Sequence, residues 1–311
     1  MKKHLTLAAS AMLAVLVCQP AFAGVLYSED FDVDNTANWT VNTGPTDGIA
    51  DFFYDYSAIG VPAAPGSAGT VGLKMTANNT DGVFGGLSVS PTGESFAGDY
   101  QLSFNMWQNY VGPIGPGGSG TTQVSYAAIG TSGSSVNYPG VIDSALFATT
   151  LDGGSASDVR VYSPDATGSY AAGANYFAGK NGSDAYYNQF GSEAAPGDQL
   201  TLFPGQTGTT DSGETSFAWR EVTIDVVGGV ATWTIDGLPM GTIDTNGLTL
   251  GLGGSNILFG HSDTNSSTSS DPNNSLLNVT LIDNVLVTSI PEPSSLLLLS
   301  LSGVALLRRR R

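Results

Sequence analysis

Residues 219–236 read Trp-Arg-Glu-Val-Thr-Ile-Asp-Val-Val-Gly-Gly-Val-Ala-Thr-Trp-Thr-Ile-Asp, and this stretch decides the fold class. Val222, Ile224 and Val226 alternate with Glu221, Thr223 and Asp225, the period of a strand with one buried face. Gly228-Gly229 follows, a two-residue turn signal, because both central positions of a tight hairpin need positive φ. Ala231, Trp233 and Ile235 then alternate with Thr232, Thr234 and Asp236. The sequence therefore predicts a hairpin with strands near 219–227 and 230–236.

The same period recurs outward from this hairpin. Tyr100, Leu102, Phe104 and Met106 share one face, with Gln101, Ser103 and Asn105 on the other. Asn256 to Phe259 and Val279 to Val287 read as two further strands. No apolar stripe of helical period runs for three turns, and Gly-rich turns separate the strands. The expected class is all-β, an antiparallel sandwich formed by one domain over 24–290.

Charge narrows the function classes. The chain has 311 residues and a formal net charge of −17. Between residues 24 and 290 only Lys74, Arg160, Lys180 and Arg220 are basic, against 26 acidic residues, so 4 − 26 gives −22 for that region. Such a surface repels nucleic acid and anionic membranes, tolerates neutral polymers and attracts divalent cations. The one cysteine, Cys18, lies in the N-terminal apolar run, so the region 24–290 has neither disulfides nor thiol chemistry.

Both ends read as processing segments. Lys2-Lys3 precedes an apolar run, Leu5 to Cys18, and Ala21-Phe22-Ala23 then offers the small-x-small pattern that signal peptidase cuts after. Residues 1–23 are thus expected to be a helical secretion signal, with Gly24 the mature start. At the other end Pro291-Glu292-Pro293 is followed by uncharged Ser294 to Leu307 and then by Arg308, Arg309, Arg310 and Arg311. The prolines stop the preceding strand. A helix over 294–307 would reach about 21 Å against a hydrocarbon core of about 30 Å, with the arginines on the cytoplasmic side. That is a marginal span, suited to a transient hold.

The order Pro-Glu-Pro, apolar segment, arginine cluster resembles the PEP-CTERM sorting signal of certain Gram-negative bacteria. The resemblance covers 291–311. It implies recognition by an exosortase, membrane anchoring by the tail, and delivery to the cell surface or extracellular matrix, often beside exopolysaccharide. A second resemblance lies in the sandwich. The 219–237 hairpin, Ile257-Leu258-Phe259-Gly260 and the closing Ile282-Asp283-Asn284-Val285-Leu286-Val287 look like concanavalin A-like or laminin-G-like jelly rolls. That likeness implies a last strand returning beside a first one near Leu26 to Phe31, and a tendency toward glycan binding.

No catalytic set is legible. The region 24–290 holds one histidine, His261, and five glutamates. A glucanase of this fold would alternate two or three acids along a strand to hold acid and nucleophile across the scissile bond. The nearest stretch, Glu29-Asp30-Phe31-Asp32, lacks the second glutamate. There is no Gly-x-Ser-x-Gly or His-Glu-x-x-His motif. His261 reads as a strand-end loop residue and the protein as non-catalytic. Calcium is the one cofactor with candidate ligands: Asp30, Asp32 and Asp34 alternate, and Asp263, Asn265 and Asp271 mark a second oxygen-rich loop. Neither run has the glycine and glutamate of an EF-hand, and both also fit solvated acidic loops.

Aromatic rings are the candidate glycan platforms. Trp233 shares its face with Ala231 and Ile235 and is expected in the core. Trp107 and Trp219 fall on the polar phase of their strands. A stacking platform, a bulge that resets the phase, and a sheet covered on both sides all account for that placement. Asn-x-Ser/Thr sequons stand at Asn38, Asn78, Asn181, Asn265, Asn273 and Asn278, in a chain rich in these residues.

Overall fold

Alternating side chains bury one face of a strand only against a second layer, and two sheets supply each other's cover here. The computed structural model describes residues 23–44, 47–77, 79, 82, 84–112, 121–152, 155, 157–166 and 175–291. The expected terminal helices lie outside these residues, as do Ala21, Asn78, Glu292, Pro293 and Arg308 to Arg311. Among the described residues no helix is long and apolar enough to cross a membrane.

The strands are β1 (Val25–Glu29), β2 (Trp39–Thr43), β3 (Ile49–Asp55), β4 (Val71–Thr76), β5 (Gly86–Pro91), β6 (Tyr100–Asn109), β7 (Gln123–Thr131), β8 (Ala145–Thr150), β9 (Val159–Tyr162), β10 (Asn175–Tyr176), β11 (Trp219–Val227), β12 (Val230–Ile235), β13 (Leu238–Asp244), β14 (Asn256–Asp263) and β15 (Val279–Ser289). The larger sheet runs β10-β13-β12-β11-β6-β15-β4-β3, and β1 also pairs with β15. The smaller sheet runs β2-β5-β14-β7-β8-β9. Every pairing between these strands is antiparallel. This is a jelly-roll sandwich, and Gly24–Ile290 forms one compact unit.

The β11–β12 hairpin turns through Gly228 (φ 57°) and Gly229 (φ 82°), the left-handed pair that its sequence called for. Asp236 leaves the strand at φ 47° and, with Gly237 at φ 75°, makes a second turn into β13. The closing strand does return beside the first, with Tyr27 opposite Val287. β15 is long enough to serve two partners along one edge. Thr280 to Ile282 pair with β4, and Val285 to Thr288 pair with β1. Between them Asn284 sits at φ 52°, where the register with β6 shifts.

The main core lies between the sheets, where Phe104, Val222, Ile224 and Trp233 meet Phe147, Ile257 and Phe259. Ring pairs Phe104–Phe259 and Phe147–Trp233 cross it at 4.9 and 5.5 Å. A second cluster covers one end of the larger sheet's outer face, joining Trp107, Val279 and Leu281 to Tyr56, Ile59 and Phe217. A third covers the outer face of the smaller sheet, where Tyr126, Leu146 and Leu258 lie against Tyr138 and Ile142. Tyr126 Oη reaches the carbonyls of Leu87 and Tyr138 at 2.7 and 2.9 Å, tying that cover to the sheet.

His261 is not a loop residue. It lies within β14, fully buried, and bridges the two sheets. Its Nε2 is 2.6 Å from Gln123 Oε1 on β7, and its Nδ1 is 2.8 Å from Thr280 Oγ1 on β15. The Gln123 oxygen only accepts, so Nε2 carries the proton and Nδ1 accepts from the threonine. Burial holds the imidazole neutral, with a pKa lowered to about 3.

Candidate functional site

The larger sheet keeps part of its outer face open, and short polar side chains build it. Glu221, Thr223 and Asp225 of β11 stand opposite Asn105, Ser103 and Gln101 of β6. Thr223 and Asp225 also face Thr234 and Thr232 of β12. Gln101 Nε2 donates to Asp225 Oδ1 at 2.7 Å, the hydroxyls of Thr223 and Thr234 are 2.6 Å apart, and Asn284 Nδ2 donates to Asn105 Oδ1 at 2.9 Å. Alternation puts Trp219 on the same face, one step beyond Glu221. The result is a row of amides, hydroxyls and carboxylates bordered by an indole, the functional groups that hydroxyl-rich ligands hydrogen-bond and stack on.

The two candidate tryptophans part company. β6 and β11 pair without a register shift, so Trp107 does sit on the outer face, opposite Trp219. Yet Trp107 is only 2% exposed, because the second cluster covers it, and its Nε1 donates to Asn109 Oδ1 at 3.2 Å. A ring enclosed in this way offers no face to a sugar, which corrects the expectation for Trp107. Trp219 is half-buried at the border of the cover, with its Nε1 donating to Pro62 O at 2.7 Å. Tyr56 and Trp107 hold its ring at 5.2 and 5.8 Å.

Most carboxylates of the acidic runs accept hydrogen bonds from the chain itself. Asp30 Oδ1 accepts from the Asp32 amide, and Asp34 Oδ1 accepts from the Thr36 amide and hydroxyl, which lower its pKa. Asp263 is fully buried; its Oδ1 accepts from the Asn265 amide and its Oδ2 from Thr121 Oγ1. Asp271 Oδ1 accepts from the Asn273 amide. These carboxylates cap turns. Among the described residues no group of three or more His, Asp or Glu side chains could hold a metal ion.

Two cavities were not anticipated. One, of about 360 Å³, opens where β1 and β4 part along β15 and is lined by Ser28, Glu29, Asp30, Asn35 and Asn284 to Leu286. Glu29 is held in its wall by the Phe31 amide and Asn35 Nδ2. The other, of about 190 Å³, brings Asp152, Asp211 and Glu214 together beside Tyr110. Burial, with the charges of Asp211, Asp152 and Asp158 behind it, raises the Glu214 carboxyl to about 8, against the Asp211 amide that donates to it. No periodicity links residues 152 and 214; only the chain's return over β6 does.

At the sorting end, Gly24 is exposed and its N–H donates to Ser289 Oγ at 2.8 Å; Ala23 is also exposed. Pro291 follows Ile290 directly as the chain leaves the sheet.

The PEP-CTERM protein-sorting motif matches this chain over residues 289–311. No curated protein sequence matches it. Among solved structures, the chain is similar to a glycoside hydrolase family 16 endo-glucanase from Bacteroides ovatus. That pair shares 14% identity over 85% of this chain and 100% of the other, with a TM-score of 0.42. It is similar also to the catalytic domain of a laminarinase from Thermotoga petrophila RKU-1 (10% identity, 87% and 99% covered, TM-score 0.42). A family 11 carbohydrate-binding module from Clostridium thermocellum aligns at 12% identity, with 87% and 98% covered and a TM-score of 0.36. Likenesses this distant carry no statement about ligand or chemistry. The sandwich described above and the matched motif together make this chain an antiparallel jelly roll that ends in a PEP-CTERM protein-sorting signal.

Proposed function

We propose that this is a non-catalytic cell-surface or matrix protein, cut by signal peptidase after Ala23 and processed by an exosortase at its tail, whose sandwich binds extracellular polysaccharide. The observation that carries the route is the sorting motif continuous with β15. The polysaccharide part is supported by the open polar face beside Trp219 and by a net charge of −22 over 24–290 (4 basic minus 26 acidic residues), which leaves neutral polymers as acceptable partners. A glycan array probed with the secreted protein tests it. Binding that Trp219→Ala weakens about tenfold, in protein still folded at the assay temperature, is the expected result, the size of one lost ring contact. An array without any bound glycan leaves a structural matrix protein instead.

One observation favours a second reading, a glycan-active enzyme. A carboxyl raised to about 8 beside two further acids is the electrostatic pattern of a general acid in glycoside cleavage. Release of reducing ends from neutral or acidic polysaccharides, abolished by Glu214→Gln, would establish it; an inactive wild type would end it.

A further inference from the structure

The sandwich stops where the sorting motif starts. Ser289 is both the last residue of β15 and the first residue of the matched motif. Its N–H donates to Gly24 O at 2.8 Å, and the Ile290 N–H donates to Asp99 O at 2.9 Å. The strand is therefore pinned by β1 on one side and by the segment leading into β6 on the other, up to the residue before Pro291. The same end of the sheet gathers other termini. Val25 stands opposite Thr288, Tyr100 opposite both Ser289 and Val226, and Val227 opposite Val230. The Gly228 N–H donates to Asp99 Oδ1 at 2.8 Å, which seats the β11–β12 turn beside the exit.

Four apolar side chains surround that exit in solvent: Val25 (65% exposed), Val227 (49%), Leu26 (45%) and Val230 (37%). Single exposed valines are ordinary, but a group placed around one chain exit is a candidate contact. A chain advances at most about 3.5 Å per residue, so three residues can separate a motif from the strand it follows by no more than roughly 10 Å. An enzyme that grips Pro-Glu-Pro in a cleft must therefore touch this end of the folded domain, unless β15 unzips from both neighbours.

We propose that Val25, Leu26, Val227 and Val230, with Asp99 between them, form a contact surface for the membrane enzyme that reads the tail, which thus recognises the end of the sandwich together with the motif. The inference rests on the exosortase reading above. Charge argues against the lipid surface itself as the occupant, since the −22 of residues 24–290 (4 basic, 26 acidic) repels anionic headgroups. An apolar protein surface at the membrane meets no such penalty.

The test follows tail removal from the full precursor by pulse-chase in a host that processes the wild type. Val227→Asp with Val230→Asp should slow removal about tenfold, the cost of losing two partly buried valines from a contact. Val227→Thr with Val230→Thr keeps shape and strand preference and should slow it by a smaller factor in the same direction. A flexible insert of about eight Gly/Ser residues between Ile290 and Pro291 should also slow it, by separating motif from surface. Protease resistance of the sandwich in each precursor reports folding. Wild-type rates in the threonine variant, or an insert that speeds removal, would overturn the contact while leaving exosortase processing intact. Sorting that survives deletion of 291–311 would sink both.

Discussion

The two sheets differ in what lies over them. On the larger sheet, β11 and β12 send Val222, Ile224, Ala231, Trp233 and Ile235 into the core and leave Glu221, Thr223, Asp225, Thr232 and Thr234 at least partly in water. On the smaller sheet, β7, β8 and β14 are buried along their whole length, because Tyr138, Ile142 and their neighbours cover the second face. Alternation of apolar and polar residues reports one wet face and not the strand as such. Where both faces are dry, the pattern vanishes and Ala, Ser, Gly and Thr fill the strand.

Neighbouring residues of β14 probe both dry faces. Phe259 points between the sheets, against Phe104 and Trp39. Phe259→Ala should cost about 3–5 kcal/mol in urea unfolding, the largest effect expected here. Gly260 points the other way, and a Cβ there would stand 2.1 Å from two carbons of the Tyr126 ring. On a wet face, glycine to alanine in a strand stabilises by about 0.5–1 kcal/mol. Under the third cluster the sign reverses, and Gly260→Ala should destabilise by about 1–3 kcal/mol. A neutral or stabilising result would mean that the smaller sheet is not sealed.

Two titrating groups, fully buried His261 and half-buried Glu214, sharpen the contrast by acting in opposite directions. His261 has a pKa of about 3 in the folded protein against 6.5 when free, so the unfolded chain takes up its proton first. Its contribution is complete above about 6.5 and falls by about 1.4 kcal/mol per pH unit down to about 3. His261→Gln should flatten that acid limb in pH-dependent melts. Glu214 has its pKa raised from 4.5 to about 8, so its contribution is complete below about 4.5 and is lost as pH rises through 8. Glu214→Gln should remove that decline between about pH 4.5 and 8 while leaving the His261 contribution in place. The smallest effect belongs to the open face. Thr234→Ala, which breaks the 2.6 Å contact with Thr223, should cost about 0.2–1 kcal/mol.

The same contrast explains what the sequence disclosed of the fold. β11, β12 and the first part of β6 were legible because each has one wet face, whereas Asn256 to Phe259 of β14 and Val279 to Asp283 of β15 read as strands although both of their faces are buried. β5, β7 and β8 were not legible: they too are buried on both sides, and their Ala, Ser, Gly and Thr leave neither an alternation nor a strongly apolar run. β13 was missed for another reason. Asp236 and Gly237 form a second left-handed turn, but Leu-Pro-Met-Gly-Thr-Ile-Asp lacks a clean period, and its register with β12 shifts between Trp233 and Thr234. At the site, the polar phase of Trp107 and Trp219 was legible, but which of the two stays partly open was not. The cover over Trp107 comes from Tyr56 to Val61 and from Phe217, distant in the chain.

By itself the sequence determined the strand class, the glycine turn, the absence of cysteine chemistry in the sandwich and the sorting signal. All of these are local, set by spacing, backbone sterics or a contiguous motif. Only the tertiary structure decided that Trp107 is enclosed while Trp219 borders an open face, that His261 joins the sheets, that Asp152, Asp211 and Glu214 share a cavity, and that Gly24 is hydrogen-bonded to Ser289 where the motif begins. Each depends on residues tens to hundreds of positions apart, and burial and proximity of that kind are set by which layer returns over which face.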